Sequence, residues 1–235
     1  MSEVKKFFDL FSSRYDKHAF YDTLGTEFLS NIEENFIKEN LSKNLNGFKV
    51  LDIGIGTGRC SHILAKRGAK IYGVDISEKM VKKAKMKLGN SLKQVIITDA
   101  QKGLPFSSNF FDICISFRAL KYMRNWKFVI LEIKRVLKPQ GIAILEFSNK
   151  ESIAALGMKN ANYMLFDIND VLRYIQSSNL KIIKIKGGAK LPFPLYQKIN
   201  SKKIIGLFNI IEYFMRILVG WRFSRNVMIM IKVAK

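Results

Sequence analysis

Three observations predict an α/β fold built on a doubly wound, mostly parallel sheet. Short apolar runs bounded by turn residues alternate with stretches of helical period between residues 48 and 147. The spacing of those runs implies right-handed helical crossovers between parallel strands. The first run passes directly into three glycines at alternate positions, Gly54, Gly56 and Gly58, where a strand would feed a helix.

The elements follow in order. "FKVLDI" (48–53) is a buried strand ended by the glycines, and "RCSHILAKRG" (59–68) is a helix closed by Gly68. "KIYGVDI" (70–76) is the second strand, and Ser77 N-caps the helix "EKMVKKAKMKLG". "QVIITDA" (94–100) and "FDICIS" (111–116) are the third and fourth strands. "NWKFVILEIKRVLK" is a helix stopped by Pro139, and "GIAILEF" (141–147) is the fifth strand. A helix near "INDVLRYIQSS" and strands at "LKIIKIK" (180–186) and "NVMIMIKVA" (226–234) complete the pattern.

Composition narrows the function. The 235 residues are 48% apolar, enough for one substantial core with an appended lid, and there is no internal repeat. Cys60 and Cys114 form no CxxC pair, and with two histidines a Cys/His zinc site is not expected. Buried, inert thiols in a reducing compartment are expected instead. "MSEVKKFFDLFSS" lacks the uninterrupted apolar core of a signal peptide, which predicts a cytoplasmic protein. The net charge of +21 is uneven: residues 171–235 carry 13 Lys and Arg against 1 Asp or Glu. That asymmetry suits a polyanionic neighbour such as RNA, an anionic membrane surface or an acidic substrate, or a lysine-rich solvated surface.

Glycines at a strand-to-helix turn permit positive φ and close approach of a ligand to the backbone. The spacing differs from the G-x-G-x-x-G of dinucleotide binders, and Asp52 beside it would oppose a pyrophosphate. A carboxylate there suits an ammonium group. Asp75, at the end of the second strand, is placed for ribose hydroxyls, and Asp99, at the end of the third, for the exocyclic amine of an adenine. Ammonium, ribose and adenine together describe S-adenosylmethionine.

The same residues resemble a known family, the class I S-adenosylmethionine-dependent methyltransferases. "VLDIGIGTG" is similar to their cofactor loop, "GVDIS" to their ribose-binding strand end, and "TDAQKGLPFSSNFFDICISF" to their adenine segment. "RVLKPQGIAILEFS" is similar to their helix-to-fifth-strand signature. Within the class, "FSSRYDKH", "CISF" and "LEFS" most resemble the C-methyltransferases of ubiquinone and menaquinone biosynthesis. That group continues after "ISF" with a Gly-Leu-Arg-Asn-like stretch, where this chain has Arg118-Ala119-Leu120-Lys121. The resemblance implies a Rossmann-like, seven-stranded sheet with an antiparallel last strand and cofactor contacts at Tyr15, Asp52, Gly54, Gly56, Gly58, Asp75, Ile76, Asp99, Ala100 and Ser116. Tyr15 would cover the cofactor. Arg118, Lys121 and Tyr122 follow the fourth strand, where acceptors lie. No metal and no catalytic base are assigned, and His18 reads as a surface helix residue.

A single domain over 1–235 is expected, with N-terminal helices over 1–45 and an inserted cap over 187–225. "LPFPLYQKIN" is an irregular link, and "SKKIIGLFNIIEYFMRILVGWRF" is one long helix. Lys202, Gly206, Asn209, Tyr213, Arg216 and Gly220 form a narrow stripe on its broadly apolar surface. This predicts a lid packed on the core, a homodimer face, or an element dipping into an anionic membrane. The expected function is methyl transfer to a small or lipid-like, quinone-type acceptor. An RNA methyltransferase is the second reading, and a non-catalytic cofactor sensor the third.

Overall fold

The computed structural model describes residues 3–17, 22–152 and 163–234. His18 lies outside them. Two N-terminal helices, α1 (Glu3–Phe11) and α2 (Leu24–Asn40), precede the sheet. Then β1 (Lys49–Ile53), α3 (Arg59–Ala65), β2 (Lys70–Asp75), α4 (Glu78–Leu88), β3 (Leu92–Ile97) and β4 (Phe111–Ser116) alternate. They are followed by α5 (Trp126–Val136), β5 (Leu137–Ser148), α6 (Ile168–Ser177) and β6 (Leu180–Gly187). Helices α7 (Phe193–Gln197) and α8 (Lys202–Val219) intervene before β7 (Asn226–Val233).

The seven strands are ordered β3-β2-β1-β4-β5-β7-β6. Strands β1 to β5 pair in parallel, and β7 inserts antiparallel between β5 and β6. The order reverses between β1 and β4, which opens a crevice at their carboxyl ends. The central strands are buried on both faces, so they carry apolar runs rather than alternation. One face packs α5 and α6 through Trp126, Ile130, Ile133 and Val171, and the other packs α2, α3 and α4 through Phe36, Leu64 and Ala84.

Several boundaries differ from the sequence pattern. Strand β3 ends at Ile97, and Asp99 N-caps a short 3-10 turn over Ala100–Lys102 by accepting from Gln101 N–H at 3.0 Å. Helix α3 ends at Ala65, three residues before Gly68. Pro139 does not stop a helix. Helix α5 ends at Val136, and β5 already includes Leu137 and Pro139, with its register to β4 shifting between Phe111 and Ile113. Proline is tolerated at such an irregularity because no ladder N–H is needed there. The long cap helix stops at Val219, and the link before it contains the short α7.

Candidate active site

A cleft of about 760 Å³, counting its open mouth, lies at the carboxyl ends of β1, β2 and β4. Its floor is the turn after β1. Gly54, Gly56 and Gly58 all have positive φ, at 74°, 55° and 80°. At Gly56 an added Cβ would meet only the Gly54 carbonyl oxygen, at 3.9 Å, so the position faces open cleft and a side chain would occupy ligand space. Gly58 faces elsewhere: its Cβ would meet Leu88 at 3.1 Å, so it lets α3 and α4 pack closely.

Asp75 holds this turn. Its carboxylate accepts the Gly56 N–H and the Ser77 N–H, both at 2.8 Å. Burial raises its pKa, and the donated backbone N–H groups oppose the rise. Ile76, Asp99, Ala100 and Tyr122 also line the cleft. Asp52 opens instead onto an adjoining recess shared with Tyr15, Gly54, Gly56, Arg59 and Arg118. It is buried, accepts from Ser61 Oγ at 2.7 Å, and is pushed up to about 7 by burial. Ser116 is not in either wall: its hydroxyl donates to the Ile53 carbonyl at 2.9 Å. Lys121 also stands behind the wall, with Nζ 4.5 Å from the Tyr163 ring centre and its pKa lowered to about 8 by burial and nearby Arg225.

The N-terminal segment closes over the opening. Val4, Phe8 and Tyr15 line the cleft, and Phe8 packs edge-on against Tyr15 and Tyr122. Ser77 Oγ donates to Asp9 at 2.6 Å, Thr57 Oγ donates to Asp16 at 2.6 Å, and Lys83 donates to the Ser12 carbonyl at 2.6 Å. Burial pushes the Tyr15 hydroxyl up to about 12, so it stays protonated.

Behind Arg118 lies a second, smaller chamber of about 330 Å³ including its solvent-open part, lined by Leu29, Ile32, Glu33, Glu146, Ala189, Arg225 and Met228. Arg118 walls both spaces. It is no solvated loop residue: at φ 56° it directs its guanidinium onto Glu33, with Nε 2.7 Å from the carboxylate. Glu33 also pairs with Arg59. Burial works to raise Glu33, but Arg118 and Arg59 outweigh it and hold the carboxyl below its usual range. Glu146 is 3% exposed, and its Oε2 has no hydrogen-bond partner among the described residues. Burial, reinforced by Glu33, pushes it up to about 7.

The sequence therefore brought Tyr15, Gly54, Gly56, Asp75, Ile76, Asp99, Ala100, Arg118 and Tyr122 to one cleft, with Asp52 at its edge. It missed Val4 and Phe8, for which the "FFDLF" aromatics were a usable signal. It also missed Glu33, Glu146 and Arg225, which come from three distant segments.

Residues 51–145 match the family described as "Methyltransferase domain". An uncharacterized protein of Methanocaldococcus jannaschii is 30% identical over 181 residues, covering 77% of this chain and 60% of that protein. A ubiquinone/menaquinone biosynthesis C-methyltransferase of Paraburkholderia phymatum is 36% identical over 108 residues, 43% of this chain and 44% of the relative. The chain thus spans between 44% and 60% of the length of these relatives. The crystal structure of an S-adenosylmethionine-dependent methyltransferase from Thermotoga maritima superposes with a TM-score of 0.71 at 18% identity, covering 99% of this chain and 100% of that one. At that identity the likeness establishes the fold.

Proposed function

We propose, from the premise that residues 51–145 form a class I S-adenosylmethionine-dependent methyltransferase domain, that the chain methylates a small or lipid-like acceptor. The observation that carries this is the cleft floor: an open cradle at Gly56, fixed by Asp75, between strand ends that also present Asp52 and Asp99. Asp52, Asp75 and Asp99 line the main cleft and its recess together with Arg59 and Arg118, and both guanidiniums are engaged by Glu33, which supports a cationic nucleoside ligand at the carboxylates over a pyrophosphate.

The donor residues in this reading are Tyr15, Asp52, Gly54, Gly56, Asp75, Ile76, Asp99 and Ala100. Bound there, S-adenosylmethionine supplies a methyl group on a sulfonium, transferable without a metal. Orientation and exclusion of water provide much of the rate in such a displacement. The α1 segment with Val4, Phe8 and Tyr15 supplies that exclusion. The acceptor approaches from the side of Arg118 and Tyr122. When the acceptor must lose a proton, Glu146 accepts it on its unpartnered Oε2, and a carboxyl poised near 7 suits that exchange at neutral pH. Arg118 lines both spaces, and Glu33, its partner, lines the smaller one.

Kinship with a ubiquinone/menaquinone C-methyltransferase supports a ring acceptor of quinone type. The outward apolar face of α8 supports a lipid-like acceptor, delivered from a membrane surface, over RNA. Incubation with methyl-labelled S-adenosylmethionine and, in parallel, a membrane lipid extract or total RNA tests this. Label in the organic phase is expected. Label in RNA alone would replace the proposal with the nucleic-acid reading.

A further inference from the structure

Helix α8 turns its one acid inward and a run of large apolar side chains outward. Ile205 and Phe208 pack against Phe28, Leu29, Tyr196 and Ile199. Glu212 is buried, where it accepts the Lys190 N–H at 2.8 Å, the Leu191 N–H at 3.1 Å and the Tyr196 hydroxyl. These contacts fix the helix's rotation. The opposite side presents Ile204, Leu207, Ile210, Phe214, Ile217 and Leu218 at 48–80% exposure. Ile204, Leu207, Ile210, Phe214 and Ile217 follow one another by three or four residues and Leu218 lies four beyond Phe214, so they make a single stripe along the helix.

A stripe of this size on an ordinary surface marks an interaction site. Its surroundings identify the partner. Lys202 and Lys203 in the first turn of the helix, Lys198 just before it, Arg216 on the flank nearer Glu212 and Arg222 just after it are all exposed. Glu212 is the only acid in residues 171–235, and it is buried, so every exposed charged side chain described over residues 171–234 is positive. A second copy of the chain laid on this face would bring cations against cations with no acid to pair them. Nucleic acid would leave the apolar centre without a partner. An anionic bilayer satisfies both: apolar side chains enter the acyl boundary while basic residues meet the headgroups.

We infer that the outer face of α8 lies in the plane of an anionic membrane surface. No helix among the described residues is long and apolar enough to cross a membrane, which agrees with a helix lying on it. The location has a consequence for the acceptor. The β6–β7 ladder continues through Gly188 and Asn226 into Ala189 and Arg225, so the cap rises at the carboxyl end of β5, the edge that carries the cleft. Its inner side rests on α2, which contributes Glu33 to the chamber. The inference deepens the lipid-like acceptor reading and rests on it only for this consequence.

Flotation of the full chain with phosphatidylcholine vesicles, with and without phosphatidylglycerol, is the test. The wild type should float with the anionic vesicles and be released by high salt. Ile210→Glu/Phe214→Glu, at two exposed positions, should keep the wild-type melting temperature and reduce the bound fraction about tenfold. Failure of the wild type to float, or unchanged flotation of the variant, would overturn the inference. So would sedimentation showing a dimer that the same variant dissociates. S-adenosylhomocysteine affinity, measured on the same proteins, reports separately on the cofactor reading.

Discussion

Glu146 carries a carboxyl that burial pushes up to about 7 from the usual 4.5. Between those values the folded chain holds a proton that the unfolded chain has lost, so this residue's contribution to stability falls as pH rises through that window. Glu146→Gln should therefore gain melting temperature over the wild type as pH rises from 4.5 to about 7, the window between the two pKa values. Parallel pH profiles would show that Glu146 titrates normally. Asp75→Ala removes an acceptor of two turn N–H groups and the candidate ribose contact. It should weaken S-adenosylhomocysteine binding by about 1–3 kcal/mol, checked by calorimetry. Gly56→Val should abolish that binding while the chain stays folded by circular dichroism. Asp75, Gly56 and Asp99 were legible because strand, turn and acid are neighbours in sequence. Glu146 was visible inside "LEFS" yet read as strand, because its chemistry depends on Glu33, Arg118 and Arg225 arriving from elsewhere.

At the scale of elements, α2 is tied to the sheet's carboxyl edge by one buried carboxylate shared between two guanidiniums. Glu33→Ala removes that carboxylate from both Arg118 and Arg59, and Arg59 retains Glu34 at 3.3 Å. Denaturation should show a loss of about 3–5 kcal/mol, the scale for breaking a buried pair from one side. A loss under about 1 kcal/mol would mean that the pair behaves as a surface ion pair. The sheet by contrast closes without the cap. Gly188 N–H donates to Asn226 at 2.8 Å and Arg225 N–H to Ala189 at 2.8 Å, so the hairpin already closes below it. Replacing residues 190–224 with a short Asn-Gly turn should retain S-adenosylhomocysteine binding and lose methyl transfer to the lipid extract. The sequence made the apolar breadth of α8 legible. Which side faces inward was not, because a buried acid, Glu212, decides it against the usual rule that acids face water.

For the whole molecule, the doubly wound sheet was readable because its strands are short apolar runs between capped helices, and Ser77 caps α4 as expected. The edges of elements were less readable where proline and a register shift coincide, as at Leu137 to Gly141 in β5. The fold brings residues 4, 15, 56, 75, 99 and 118 around one cleft at the switch point of the sheet. The central claim is that this cleft takes S-adenosylmethionine. Calorimetric titration of the purified chain with S-adenosylhomocysteine, and separately with NAD, tests it most directly. Saturable binding of S-adenosylhomocysteine at one site, with no heat from NAD, is the predicted result. Binding of NAD with no response to S-adenosylhomocysteine would contradict it.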